Sequence, residues 1–145
     1  MATQFHGVQS ELTEAVIGAA FEVANILGTG FLEKVYHRAL IKELRIRGVC
    51  AKAQVRFPVS YKGTLVGEYV ADLVVEEKVI IELKCVDRFA NEHLAQCINY
   101  LKASGLPLAL QLNFQNSKVE WRRVLLDATE AREFEPVPRE ALPVA

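Results

Sequence analysis

The sequence predicts a layered α/β fold in which two helices, three strands, a third helix and two final strands follow one another. Three observations predict it. Apolar residues recur at helical spacing before Gly48, the period drops to two after Cys50, and helical spacing returns between Asn91 and Ser104.

The first helix is expected over residues 10–27. Ser10 is a plausible N-cap, Glu11 and Glu14 suit the positive end of a helix, and Leu12, Val16, Ala19, Ala20, Val23 and Leu27 form the inward face before Gly28. A second helix is expected from about Phe31 to Arg47, with Tyr36, Leu40 and Leu44 inward, Glu33 on the same stripe, and Gly48 as the stop. Val55, Phe57, Val59 and Tyr61 then alternate up to a Lys62-Gly63 turn, which reads as a hairpin. Leu65–Val75 and Val79–Val86 are strands with two apolar faces, as expected where helices cover both sides of a sheet. Asn91–Ser104 is the third helix, closed by Gly105 and Pro107, and Leu108–Phe114 and Val119–Leu126 are the last strands.

At 145 residues, 51% hydrophobic and 24% charged, the chain suits one domain with its own core. That core is expected over about residues 10–126. Residues 127–145, acidic and containing Pro136, Pro138 and Pro143, read as a loosely held tail. The three cysteines show no metal-site spacing and read as reduced core thiols. No leader pattern opens the sequence and no apolar run approaches membrane-spanning length, so a cytoplasmic protein without membrane contact is expected.

A net charge of −1 excludes a global basic field. Lys42, Arg45, Arg47, Lys52, Arg56 and Lys62 nonetheless cluster against Glu43 alone, and Asp127, Glu130, Glu133, Glu135 and Glu140 follow later. Solvated surface is the simpler reading of the basic run, and a phosphate-tracking patch is the alternative.

The stretch VGEYVADLVVEEKVIIELKCV sets Asp72, Glu82 and Lys84 among valines and isoleucines, where ionised groups are expensive to desolvate. Glu82 and Lys84 leave one face of their strand. If residues 76–78 form a three-residue loop, Val75 pairs with Val79 and Asp72 falls opposite Glu82. Like charges so placed repel, and a divalent cation offsets the repulsion: Mg²⁺ takes oxygen ligands at about 2.1 Å and is commonly held by one or two carboxylates with substrate phosphate. An exposed salt-bridged patch is the competing reading of this stretch. Glu33 at a helix start and Gln96-x-x-x-Tyr100 on the third helix each have an ordinary structural explanation when taken singly. His37 and His93 are placed at the surface, outside the site.

Asp72 followed by Glu82-Leu83-Lys84 resembles the PD-(D/E)xK nuclease superfamily, and GTGFLEKVYHRAL, with Gly30, Glu33 and Tyr36, resembles the opening motif of its small GxxExxY branch. The resemblance spans about Thr13 to Phe114. It implies a restriction-endonuclease-like mixed sheet flanked by helices and a Mg²⁺- or Mn²⁺-dependent nuclease site acting on DNA or RNA. Carried over, Asp72, Glu82 and the Leu83 carbonyl would hold the metal, Glu33 would complete the acidic cluster, and Lys84 would orient or activate water. Gln96 and Tyr100 look like the QxxxY element that supports site and substrate, with Tyr36 as part of the opening motif. Ala71 stands where the superfamily pattern has proline. A binding or protein-interaction module on the same scaffold is the alternative. A homodimer or protein partner is a further expectation, with Trp121, Arg122 and Arg123 as interface candidates, although core packing suits Trp121 better.

Overall fold

The computed structural model describes residues 9–126, so the expected tail at 127–145 lies outside the described residues. Helix α1 runs Ser10–Leu27 and α2 runs Glu33–Ile46. Strands β1 (Ala51–Tyr61), β2 (Thr64–Val75) and β3 (Val79–Lys84) follow, then α3 (Asn91–Ser104), β4 (Leu108–Asn113) and β5 (Glu120–Leu125). The element order read from the sequence holds throughout.

Boundaries differ where capping decides them. Ser10 is the first residue of α1 and does not cap it; Gln9 holds that place at φ 54°, and the Ser10 carbonyl accepts a bond from the Thr13 hydroxyl. Helix α2 starts two residues later than expected, because Leu32 is extended and Phe31 donates its amide to the Tyr36 hydroxyl.

The strands form one mixed sheet ordered β1-β2-β3-β4-β5, in which only β3 and β4 run parallel. A parallel pair needs a crossover, and α3 supplies it. The two remaining helices cover the opposite face. Val16, Ala19, Ala20 and Val23 of α1 and Tyr36, Leu40 and Leu44 of α2 bury Leu73, Val75, Ile81, Leu83, Leu110 and Leu112. On the α3 side, Cys97, Tyr100, Leu101 and Ala103 pack on Phe57, Ala71, Val74, Ile80, Ala109 and Val124. Helices on both faces explain why the central strands are apolar in every position except the few discussed below.

The cysteines do not behave alike. Cys97 is buried, Cys85 is intermediate and Cys50 is exposed. The core-thiol reading therefore fails for Cys50, which follows the turn that ends α2 and sits just ahead of β1. Trp121 packs against the α1/α2 core, as expected.

Strands β1 and β2 turn over in mid-course. Leu73 and Val75 face α1 and α2, whereas Ala71, two residues before Leu73, faces α3; likewise Ala51 and Phe57 lie on opposite sides. The change falls at Gln54 and Asp72, which alone interrupt the ladder between Ala53↔Leu73 and Val55↔Ala71. Gln54 carries the irregularity at φ 53°. Toward β3 the ladder ends at Leu73↔Ile81. Asp72 therefore stands where β2 leaves both neighbours.

Leu110 is fully buried at the centre of the sheet. Leu110→Ala should cost about 2–5 kcal/mol in urea denaturation. Leu125→Ala on the exposed end of β5 should stay within about 0.5 kcal/mol.

Candidate active site

Strand polarity places the acidic pair. Val75 pairs with Val79 around a three-residue loop, the condition under which the spacing sets Asp72 across from Glu82, so the strands extrapolate to that pairing. Backbone pairing stops one step short of that position, and side chains take over. The Asp72 amide donates to Glu82 Oε1 at 3.3 Å, and the Leu83 amide donates to Asp72 Oδ2 at 2.9 Å. Each carboxylate thus accepts an amide that the ladder has released, which meets the requirement that buried backbone donors be paired.

Leu83 also offers its carbonyl to the same gap. The Lys84 carbonyl accepts Phe114 N at 2.9 Å on the β4 side, and successive residues face opposite neighbours, so Leu83 turns both amide and carbonyl toward β2. The site thereby offers two carboxylates and a peptide oxygen.

Glu82 is only 3% exposed. Burial first, and then the Asp72 charge, push its carboxyl up to about 8, while the Asp72 amide and the Lys84 ammonium pull it back. Glu33 sits at the first turn of α2 and is exposed as a residue, yet partial desolvation and then Asp72 raise its carboxyl as well, against Lys84 and His37. Glu33, Asp72, Glu82 and Lys84 are thus within electrostatic reach of one another in the pairs just named. Among the described residues, however, no three His, Cys, Asp or Glu side chains are gathered closely enough to hold a metal ion by themselves. The donor set that suits a hard cation is the Asp72–Glu82 pair with the Leu83 oxygen, and Glu33 stands at its margin.

The supporting residues come from three directions. Lys84 Nζ donates to Gln96 Oε1 at 3.1 Å, which ties the lysine to α3. One turn further, the Tyr100 hydroxyl donates to the Val70 carbonyl at 3.1 Å, just before the point where β2 departs from the ladder. Burial, followed by the Glu82 and Asp72 charges, raises the Tyr100 phenol and keeps it a donor. Tyr36 donates its hydroxyl to the Gly28 carbonyl at 2.6 Å, accepts the Phe31 amide at 3.3 Å, and stacks its ring on Phe114 with centroids 4.8 Å apart. Its hydroxyl therefore clasps the loop that delivers Glu33. Gly28 and Gly30 have φ of 74° and 98°, which is the left-handed region glycine adopts without strain.

His37 does not belong at the surface. Its Nε2 lies 2.8 Å from the Asp72 carbonyl and so donates to that peptide oxygen, at the residue where the β1–β2 ladder is interrupted. It follows Glu33 by four residues, so one face of α2 carries both toward Asp72. His93 is likewise engaged: its Nδ1 accepts the Ala90 amide at 3.0 Å and closes the start of α3.

Two further residues escaped sequence reasoning. Gln111 and Asn113 pair in register with Glu82 and Lys84 and are fully buried. Gln111 donates to the His93 carbonyl at 2.9 Å and accepts from Arg122, which also reaches the Ala90 carbonyl and lies over the Phe89 ring. Asn113 bonds both the amide and the carbonyl of Val86, at 3.1 and 2.7 Å, and so fixes the chain leaving β3. The signal was available in LALQLN, where two amides alternate with leucines on the face that Glu82 and Lys84 occupy. These contacts also engage Arg122 within the chain.

A sequence model of the PD-(D/E)XK nuclease superfamily matches residues 10–124. The crystal structure of SSO0001 is similar at 19% identity and a TM-score of 0.54, over 86% of this chain and 63% of that one. The chain thus spans somewhat under two thirds of the length of that protein, and the likeness shows the fold. An alkaline exonuclease from Laribacter hongkongensis, LHK-Exo, aligns at 15% identity and a TM-score of 0.46, over 79% of each chain. The same enzyme in complex with dAMP aligns at 13% identity and 0.47, over 83% of this chain and 86% of that one. No curated protein matches the sequence significantly.

Two outcomes are expected of the metal-free protein. Folding raises the Glu82 pKa from its ordinary value, so proton binding favours the folded state between the two values. Stability should be fullest below about pH 4.5 as far as this group is concerned and fall as pH climbs toward about 8. Thermal melts in chelator should show that fall, and Glu82→Gln should remove it. Tyr36→Phe keeps the ring stack but releases two bonds, and should cost about 1–2 kcal/mol in denaturant melts while speeding amide exchange in residues 28–32.

Proposed function

Because the chain belongs to the PD-(D/E)XK nuclease superfamily, whose members typically use divalent metals, we propose that it is a metal-dependent nuclease hydrolysing phosphodiester bonds of DNA or RNA. The observation that carries the reading is the Asp72–Glu82 pair. Two carboxylates, Glu82 buried and Asp72 half-buried, share a gap between strands, each bonded to an amide of the other's strand, with the Leu83 oxygen beside them and Lys84 held near by Gln96. Buried like charges are destabilising unless something compensates them, and such arrangements concentrate at functional sites. The Gly30, Glu33 and Tyr36 spacing supports a place in the GxxExxY branch.

Asp72, Glu82 and the Leu83 carbonyl would hold Mg²⁺ or Mn²⁺. Such an ion, when bound, polarises a phosphoryl oxygen and lowers the pKa of coordinated water from about 15.7. The chain's own residues do the rest. Lys84 orients the attacking water and stabilises charge developing on phosphorus, and Gln96 keeps its ammonium in place. His37 holds the Asp72 peptide out of the ladder so that its carboxylate faces Glu82 and Leu83. Glu33 adds negative charge from the α2 side, and Tyr36 and Tyr100 brace the loop and the strand that present Glu33 and Asp72.

The reading extends to the compartment. No helix among the described residues is long and apolar enough to cross a membrane, and all three cysteines are free thiols, which suits the reducing cytoplasm.

Purified protein should cleave DNA or RNA with Mg²⁺ or Mn²⁺ and stop with chelator. Lys84→Ala should lower kcat by at least about 10² while the melting temperature holds, the range for loss of a group that stabilises transition-state charge. Manganese calorimetry separates this from a non-catalytic binding module: Asp72→Asn should abolish the metal isotherm, whereas wild-type protein with no isotherm and no cleavage would leave only the module.

A further inference from the structure

Helix α2 carries two faces of opposite character. Tyr36, Leu40 and Leu44 are buried against the sheet, while Lys34, Arg38, Lys42 and Arg45 are exposed. Steps of four, four and three residues keep these cations within one narrow stripe, about 16 Å long at 1.5 Å per residue.

Their situation differs from that of Arg47, Lys52 and Arg56 in the basic stretch. Arg47 pairs with Glu43 at 2.8 Å, Lys52 with Glu77 at 3.0 Å and Arg56 with Glu68 at 3.3 Å. Among the described residues, no ion pair or side-chain hydrogen bond reaches Lys34, Arg38, Lys42 or Arg45. Like charges at i,i+4 destabilise a helix, and here two such pairs succeed one another with no compensating acid. The net charge of the whole chain is only −1, so a stripe of this sign is a local concentration and not the overflow of a basic protein.

The stripe also begins at a telling place. Lys34 adjoins Glu33, and the residues ahead of it, Phe31 and Leu32, are 47% and 66% exposed. Their loop is fixed by the Tyr36 hydroxyl. A cationic track thus leads to an apolar ledge beside the candidate site.

We infer that the outer face of α2 binds the phosphate backbone of the nucleic-acid substrate, with Lys34, Arg38, Lys42 and Arg45 as the contacts. This deepens the nuclease reading and rests on it for the identity of the ligand. Point charges on phosphate oxygens position a strand without reading its bases, so binding along α2 is indifferent to sequence and strongly dependent on salt. Phe31 at the head of the track offers a ring face to a base as the strand turns toward Glu33.

The test is fluorescence anisotropy of labelled duplex and single-stranded oligonucleotides with the full chain in EDTA, where no hydrolysis occurs, over a range of salt. The combined variant Lys34→Gln, Arg38→Gln, Lys42→Gln, Arg45→Gln should bind at least about tenfold more weakly. Its slope of log K against log salt should be shallower by about 3–4 on duplex DNA, at about 0.9 per phosphate contact. Arg47→Gln and Arg56→Gln, whose cations are already paired, should keep the wild-type slope. The combined variant should melt within about 2 °C of wild type, because the four side chains are exposed and bond to none of the described residues.

Absence of measurable wild-type binding, an unchanged slope in the combined variant, or an equal change in the two controls would overturn the assignment. So would a clearly lowered melting temperature, which would mean that the stripe is paired within the chain. The hydrolytic reading stands or falls separately. Cleavage with an unchanged slope removes the α2 track alone, and a lost slope without cleavage in metal supports the track and removes the hydrolysis.

Discussion

The break in the sheet at Asp72 is the constraint from which the rest follows. Were β2 to pair with β1 and β3 along its whole length, the Asp72 backbone would be occupied on both sides and its side chain would be one more projection from a pleated surface. Instead the strand leaves both partners at one residue, and the Asp72 amide, the Asp72 carbonyl and the Leu83 amide are among the backbone groups released. Each finds a side-chain partner, in Glu82, His37 and Asp72 itself. The carboxylates are thus oriented by the same bonds that make the break tolerable, since orphaned buried backbone groups would cost more than the lost ladder positions.

Elements far apart in sequence converge on this break because the sheet and its two layers leave them little freedom. Helix α2 packs through Tyr36, Leu40 and Leu44, which sets its rotation and brings Glu33 and His37 to the Asp72 end. Helix α3 packs through Cys97, Tyr100 and Leu101, which brings Gln96 to Lys84 and the Tyr100 hydroxyl to Val70. Behind them, Gln111 and Asn113 hold the starts of the segments that follow β3. A dry core on each side and a polar seam at one end is a division of labour that close packing enforces: apolar volume fixes positions, and hydrogen bonds fix directions. The Cys97 thiol lies within that seam, where burial and then Glu82 push it up to about 12, so it fills space there and does not ionise.

Much of this was legible in the chain. Period-3.6 and period-2 stretches are set by which face each element buries, so all eight elements appear in order in the residue pattern alone. The three-residue loop at 76–78 was only a condition in the sequence, because strands apolar on both faces do not fix their register, and the structure supplied it. The site residues drawn from the resemblance, Glu33, Tyr36, Asp72, Glu82, Lys84, Gln96 and Tyr100, fall within one neighbourhood of the fold. His37 was misplaced because residue type predicts exposure only on average, and a histidine one turn from Glu33 looks the same in the chain whether or not a carbonyl awaits it. Gln111 and Asn113 were passed over because an amide on an apolar strand declares its burial but not its partner.

The sequence by itself determined the elements, their order, the apolar faces and the presence of charge where apolar residues were expected, since these depend on side-chain type and local period. Only the tertiary structure decided that β2 breaks at Asp72, that its carbonyl turns to α2, and which acid each paired cation among the described residues meets. Those outcomes depend on where an unpaired backbone group or a charge meets a partner elsewhere in the chain, up to 35 residues away, and side-chain type alone does not name that partner.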